Sequence, residues 1–140
     1  PLGCKFEGRT KREITDMHAL DRESLLAHAW ADPARGAEDY PSKSDEELTQ
    51  IVQGREAFAL FGWKPYMHNP RLRNWLHRMT VPTMVVWGEQ DRITGRDYAQ
   101  NWANALPRAG LETVADAGHY PQFEQPEAFA NLIAGFAKPE

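Results

Sequence analysis

Two short apolar, β-branched runs stand late in the chain, Met84-Val85-Val86-Trp87 and Leu111-Glu112-Thr113-Val114-Ala115. Each runs into a polar turn, at Gly88 and at Gly118. Between them Tyr98, Trp102, Ala105 and Leu106 repeat at i, i+4, i+7 and i+8, the spacing of one buried helical face. Strand, helix and strand in about thirty residues predict a βαβ unit with neighbouring parallel strands. A last helix is expected from Pro126 at its first position, with Phe129, Leu132, Ile133 and Phe136 on one face and Pro139 ending it.

Upstream the pattern is helical and interrupted. Residues 1–12 hold no sustained period and read as a loop. Asp21 is placed to cap a helix that carries Leu25, Leu26, Ala29 and Trp30 on one side, and Asp32-Pro33 should stop it. Ser44-Asp45-Glu46-Glu47 is a capping box, and the helix behind it sets Leu48, Ile51, Val52, Phe58 and Ala59 on one side, with Gly62 and Pro65 bracketing its end. Asn69-Pro70 predicts a further short helix packed through Leu72, Trp75 and Leu76. The expected class is therefore α/β, a linker and helical segment over 1–80 followed by a βαβα unit with two parallel strands over 81–140.

Composition narrows the function classes. At 41% apolar and 26% charged residues the chain reads as globular, and a net charge of −4 argues against nucleic acid as a partner. Its basic groups, Arg9, Lys11, Arg12 and Arg71, Arg73, Arg78, are expected on solvated faces. One cysteine excludes an internal disulfide and leans toward a reducing, cytoplasmic setting. No apolar run approaches a membrane span and no signal-peptide pattern opens the chain, so no membrane association is expected.

The chemistry gathers at the ends of the two strands. In an open parallel sheet, ligands collect beyond the strands' carboxyl ends, where Asp91 and His119 fall. A carboxylate that accepts the Nδ1 proton of an imidazole sets its tautomer and stabilises the imidazolium, which is two thirds of a catalytic triad. Glu89 and Asp116 are the competing carboxylates; Glu89 should point away from Asp91, and Asp116 reads as a turn former. His18, His28, His68 and His77 have no metal-ligand spacing, so no metal is expected, and triad chemistry of this kind implies no cofactor.

Pro-Thr-Met-Val-Val-Trp-Gly-Glu-Gln-Asp (82–91) and Gly-His-Tyr-Pro (118–121) with Phe123-Glu124-Gln125-Pro126-Glu127-Ala128-Phe129 resemble the acid loop, the histidine loop and the final helix of the α/β-hydrolase family. The resemblance implies that Asp91 is the acid and His119 the general base of a triad ordered nucleophile, acid, histidine. It places Pro1 to Ala19 just after the family's sixth strand and makes the following helices a cap over the active site. Trp63, Tyr66 and His68 would then line a substrate pocket, or Trp63 and Tyr66 would instead pack as the core of the cap; Tyr120, beside His119, is a further pocket candidate.

The nucleophile is missing from this stretch. Ser24, Ser42 and Ser44 are the chain's serines and none lies in G-x-S-x-G; Cys4 lacks the second glycine of an elbow. The family's order would put the elbow upstream of Pro1. The expected function is the C-terminal portion of a hydrolase acting on an apolar ester, or on related C–X or C–C bonds, and inactive alone. The rival is a non-catalytic fragment that pairs with a separate N-terminal half or with itself. A small helical binding module, a third reading, requires no contact between Asp91 and His119.

Overall fold

The computed structural model describes residues 3–8 and 11–137. Parts of the predicted opening loop, Arg9 of the first basic group and the expected stop at Pro139 lie outside them. In chain order come helix α1 (Arg22–Ala29), 3₁₀ turns at Pro33–Gly36 and Tyr40–Ser42, helix α2 (Asp45–Gly62), 3₁₀ turns at Leu72–Asn74 and Leu76–Arg78, strand β1 (Thr83–Gly88), helix α3 (Arg96–Ala105), strand β2 (Ala109–Val114), helix α4 (Pro121–Glu124) and helix α5 (Pro126–Phe136).

The two strands pair in parallel, Thr83 opposite Ala109 through Gly88 opposite Val114, with α3 as the crossover. Equal register brings both strands to their carboxyl ends at one level, so the turns after Gly88 and after Val114 emerge side by side. The α/β class and the helical segment followed by βαβα agree with the pattern read from the chain. Tyr98, Ala99 and Ala103 are the buried residues of α3, and Trp102 packs partly buried against both core clusters.

The first cluster draws Ile14, Ala29 and Met67 from the N-terminal segment and Ile93 and Tyr98 from the βαβ unit. A second joins Cys4, Leu76 and Leu106. The Tyr98 hydroxyl stitches the segments together, accepting from the Cys4 N–H at 2.9 Å and donating to the Cys4 carbonyl at 2.8 Å. An isolated antiparallel bridge between Ile14 and Thr94 adds a second tie.

Both predicted caps form. Asp21 accepts from the Ser24 N–H at 2.8 Å, and Ser44 with Glu47 makes the reciprocal pair of bonds of a capping box. Other expectations need correction. The helix expected from Asn69-Pro70 is a pair of 3₁₀ turns instead; Asn69 Oδ1 accepts from the Arg71 N–H at 3.0 Å, an Asx turn that competes with helical bonding. Leu76 packs as expected, but Trp75 turns outward under the Arg78 guanidinium. On the predicted apolar side of helix α2, Leu48, Ile51, Phe58 and Ala59 are half-buried while Val52 meets solvent, as do Leu60 and Phe61 off that side. Likewise Met84 to Trp87 are half-buried rather than enclosed, since β1 has one strand neighbour among the described residues.

Candidate active site

Asp91 closes the turn after β1, its N–H donating to the Gly88 carbonyl at 3.2 Å. The carboxylate is 3% exposed and receives four donors. Oδ1 accepts from the N–H groups of Ile93 at 2.8 Å and Thr94 at 3.1 Å, and Oδ2 accepts from Thr94 Oγ1 at 2.8 Å and His119 Nδ1 at 2.9 Å. An ionised carboxylate offers acceptors only, so this set of donors suits it and offsets its burial. The Asp91–Ile93 bond is an Asx turn, and with the two Thr94 bonds it holds the carboxylate independently of the imidazole.

His119 is one third exposed. With Nδ1 donating to Asp91, the lone pair at Nε2 is left to accept a proton. Its backbone is held too. The His119 N–H donates to the Ala29 carbonyl at 2.6 Å, and the Gly118 N–H donates to Glu124 Oε2 at 2.6 Å. Close approach of backbones makes this possible: a Cβ on Gly88 would collide with the carbonyls of Ala117 and Gly118, and one on Gly118 with the carbonyl of Ala29.

Tyr120 stands edge-on to His119, ring centroids 5.2 Å apart, and packs on Trp30 at 4.9 Å. Burial pushes the Tyr120 phenol above the usual tyrosine range, and the Asp91 charge adds to the shift. The other predicted pocket residues lie elsewhere. The Tyr66 hydroxyl donates to the Thr15 carbonyl at 2.7 Å and accepts from the Met17 N–H at 2.8 Å. His68 Nδ1 donates to the Tyr66 carbonyl at 2.7 Å. Both line a cavity of about 220 Å³ together with Cys4, Lys11, Glu13 and Ile14. Trp63 is mostly exposed and meets the His18 ring. Of the four, Tyr120 is the one in contact with the Asp91–His119 pair.

Glu89 lies near Thr113 Oγ1 at 3.3 Å, and Asp116, at φ 52°, accepts from Gln90 at 3.3 Å. Neither carboxylate bonds His119. Among the described residues no group of three or more His, Cys, Asp or Glu side chains is arranged to hold a metal, and no helix is long and apolar enough to cross a membrane. Sequence reasoning missed Thr94, Glu124 and the carbonyls that end α1. Thr94 had a readable signal in its spacing from Asp91; Glu124 had only its place three residues beyond Pro121.

A profile of the alpha/beta hydrolase family matches residues 6–132. The chain belongs to the α/β-hydrolase family. Relatives of this α/β-hydrolase chain include the AB hydrolase superfamily protein YisY of Bacillus subtilis, 27% identical over 93% of this chain and 49% of the relative. A 2-hydroxy-6-oxononadienedioate/2-hydroxy-6-oxononatrienedioate hydrolase of a Pseudomonas species is 31% identical over 65% of this chain and 29% of the relative. In fold, the chain superposes on serine hydrolase CCSP0084 of Cycloclasticus zankles with a TM-score of 0.66 at 18% identity, covering 97% of this chain and 52% of that one. The α/β-hydrolase chain thus spans half or less of the length of these curated relatives.

Proposed function

We propose that this chain supplies the acid and the general base of a nucleophile–histidine–acid triad, and that a preceding segment supplies the nucleophile. The single observation behind this reading is the 2.9 Å bond from His119 Nδ1 to the buried carboxylate of Asp91, with Nε2 left as a base. In the assembled enzyme His119 Nε2 takes the nucleophile's proton as its oxygen bonds to the substrate carbonyl carbon. Asp91 stabilises the imidazolium so formed. The imidazolium then protonates the leaving group as its bond to carbon breaks. In the second half His119 takes a proton from water as the water oxygen attacks the acyl carbon, and the imidazolium returns that proton to the nucleophile as its bond to carbon breaks.

An apolar ester is the simplest substrate; the relative from Pseudomonas brings a 2-hydroxy-6-oxo dienedioate as a second class to test. Tyr120 would form an aromatic wall beside the base, and Trp63, Tyr66 and His68 would serve only if the cap closes over the site. Alone the chain is inactive, because it carries no serine in an elbow motif.

A second reading, a non-catalytic assembly module, is favoured by a separate observation. Met84 to Trp87 are apolar on both faces yet half-buried, and among the described residues β1 pairs with one strand. Such a strand offers its other edge to a further strand, from an N-terminal half or from another copy. Labelling with a tagged fluorophosphonate, with and without the nucleophile-bearing half, tests the first reading. It predicts label on that half only when both are present, and none on this chain. Label on this chain alone contradicts it.

A further inference from the structure

Glu124 is a charged residue only 3% exposed, six residues from Gly118 and outside the pair described above. Both its carboxylate oxygens are engaged by backbone. Oε2 accepts from the Gly118 N–H at 2.6 Å; Oε1 accepts from the N–H groups of Ala31 at 2.7 Å and Asp32 at 3.2 Å. One carboxylate therefore joins the turn that carries His119 to the turn that follows α1.

The joint closes on itself. The next donor along, the His119 N–H, reaches back to the Ala29 carbonyl at the end of α1. Arg35, beyond the same turn, donates Nη1 to the Glu124 carbonyl at 2.6 Å and Nη2 to the Phe123 carbonyl at 2.9 Å. The acid loop is tied to the same helix end, since the Arg92 N–H donates to the His28 carbonyl at 3.0 Å. The end of α1 thus binds both loops of the pair, and Glu124 sets its distance from one of them.

We infer that Glu124 is a positioning residue: by bridging Gly118 to Ala31 and Asp32 it holds the His119 backbone where Nδ1 meets Asp91, and so selects the imidazole tautomer. This rests on the reading of Asp91 and His119 as a proton relay. A carboxylate is required because all its partners are donors. A glutamine has one acceptor oxygen, and its NH₂ would face either Gly118 or the Ala31–Asp32 pair.

The test is ¹⁵N NMR of the imidazole in this chain, recorded where the ring is neutral, for the wild type and Glu124→Gln. Backbone amide exchange and thermal melting are followed alongside. In the wild type His119 carries its proton on Nδ1. In Glu124→Gln the ratio of Nδ1–H to Nε2–H tautomer falls roughly tenfold, the effect of leaving a charged hydrogen bond unmade, while the melt stays cooperative. A variant that loses amide protection at Gly118, Ala31 or Asp32 but keeps the wild-type tautomer ratio overturns the inference, leaving Glu124 a tie of the fold alone. Absence of the Nδ1–H form in the wild type defeats the relay reading itself. If Glu124→Gln does not fold, Arg35→Ala decides, because it loosens the same joint from the surface. A smaller shift of the same sign supports the inference, and an unchanged ratio overturns it.

Discussion

At the scale of residues, Asp91 does two jobs that substitution separates. Its Oδ1 organises the turn through Ile93 and Thr94, while its Oδ2 meets His119. Asp91→Ala strands two buried backbone donors as well as the imidazole, and should destabilise the chain by about 2–3 kcal/mol in denaturant titration. Three phenols, Tyr66, Tyr98 and Tyr120, are raised above the ordinary tyrosine range, each mainly by burial. A raised phenol favours the neutral form in the folded chain, so the unfolded chain gives up its proton first. Stability should thus be intact below about pH 10, the unfolded value, and fall as pH rises beyond it. Tyr120→Phe should reduce that alkaline loss, read from melting temperature against pH. Asp91 and His119 were legible as residues because each follows a β-branched run in a polar turn. Glu124 was not, since its partners are backbone donors contributed from over ninety positions away and from Gly118, and no side-chain pattern records them.

Elements show where local pattern governs and where packing overrides it. The Asp21 cap, the Ser44 capping box and the strand–helix–strand unit are local, and form as their spacing implies. Ser44→Ala should loosen the first turn of α2, raising amide exchange there about fivefold with little effect on the core. That helix buries none of its apolar side fully, so its cap contributes alongside its packing. The stretch from Asn69 to Arg78 failed as a helix because Asn69 turns its own backbone and Leu76 is pulled into the Cys4–Leu106 cluster. Gly88 and Gly118 belong to this scale as well. They let β1, the histidine turn and the end of α1 touch backbone to backbone, and Gly88→Ala should cost about 1–3 kcal/mol by overpacking, measured by thermal unfolding.

At the scale of the whole molecule, a chain of the α/β-hydrolase family sets Asp91 and His119 side by side beyond the carboxyl ends of two parallel strands. The family's order puts the nucleophile before the acid, and under the proposed reading the acid is Asp91, after β1. A sequence window on β1 shows an apolar run; it takes the sheet to show that the run is half-buried, with one strand neighbour among the described residues. Addition of the nucleophile-bearing half should therefore stabilise the chain by about 2.7 kcal/mol at a hundredfold excess over its Kd, read as a concentration-dependent rise in melting temperature. The central claim is that His119, held by Asp91, is the general base of that assembled site. Hydrolysis of a p-nitrophenyl ester by the two halves together, wild type against His119→Gln, tests it most directly. The account predicts a fall of about a thousandfold or more in kcat with KM little changed. Equal rates from the two proteins would contradict it.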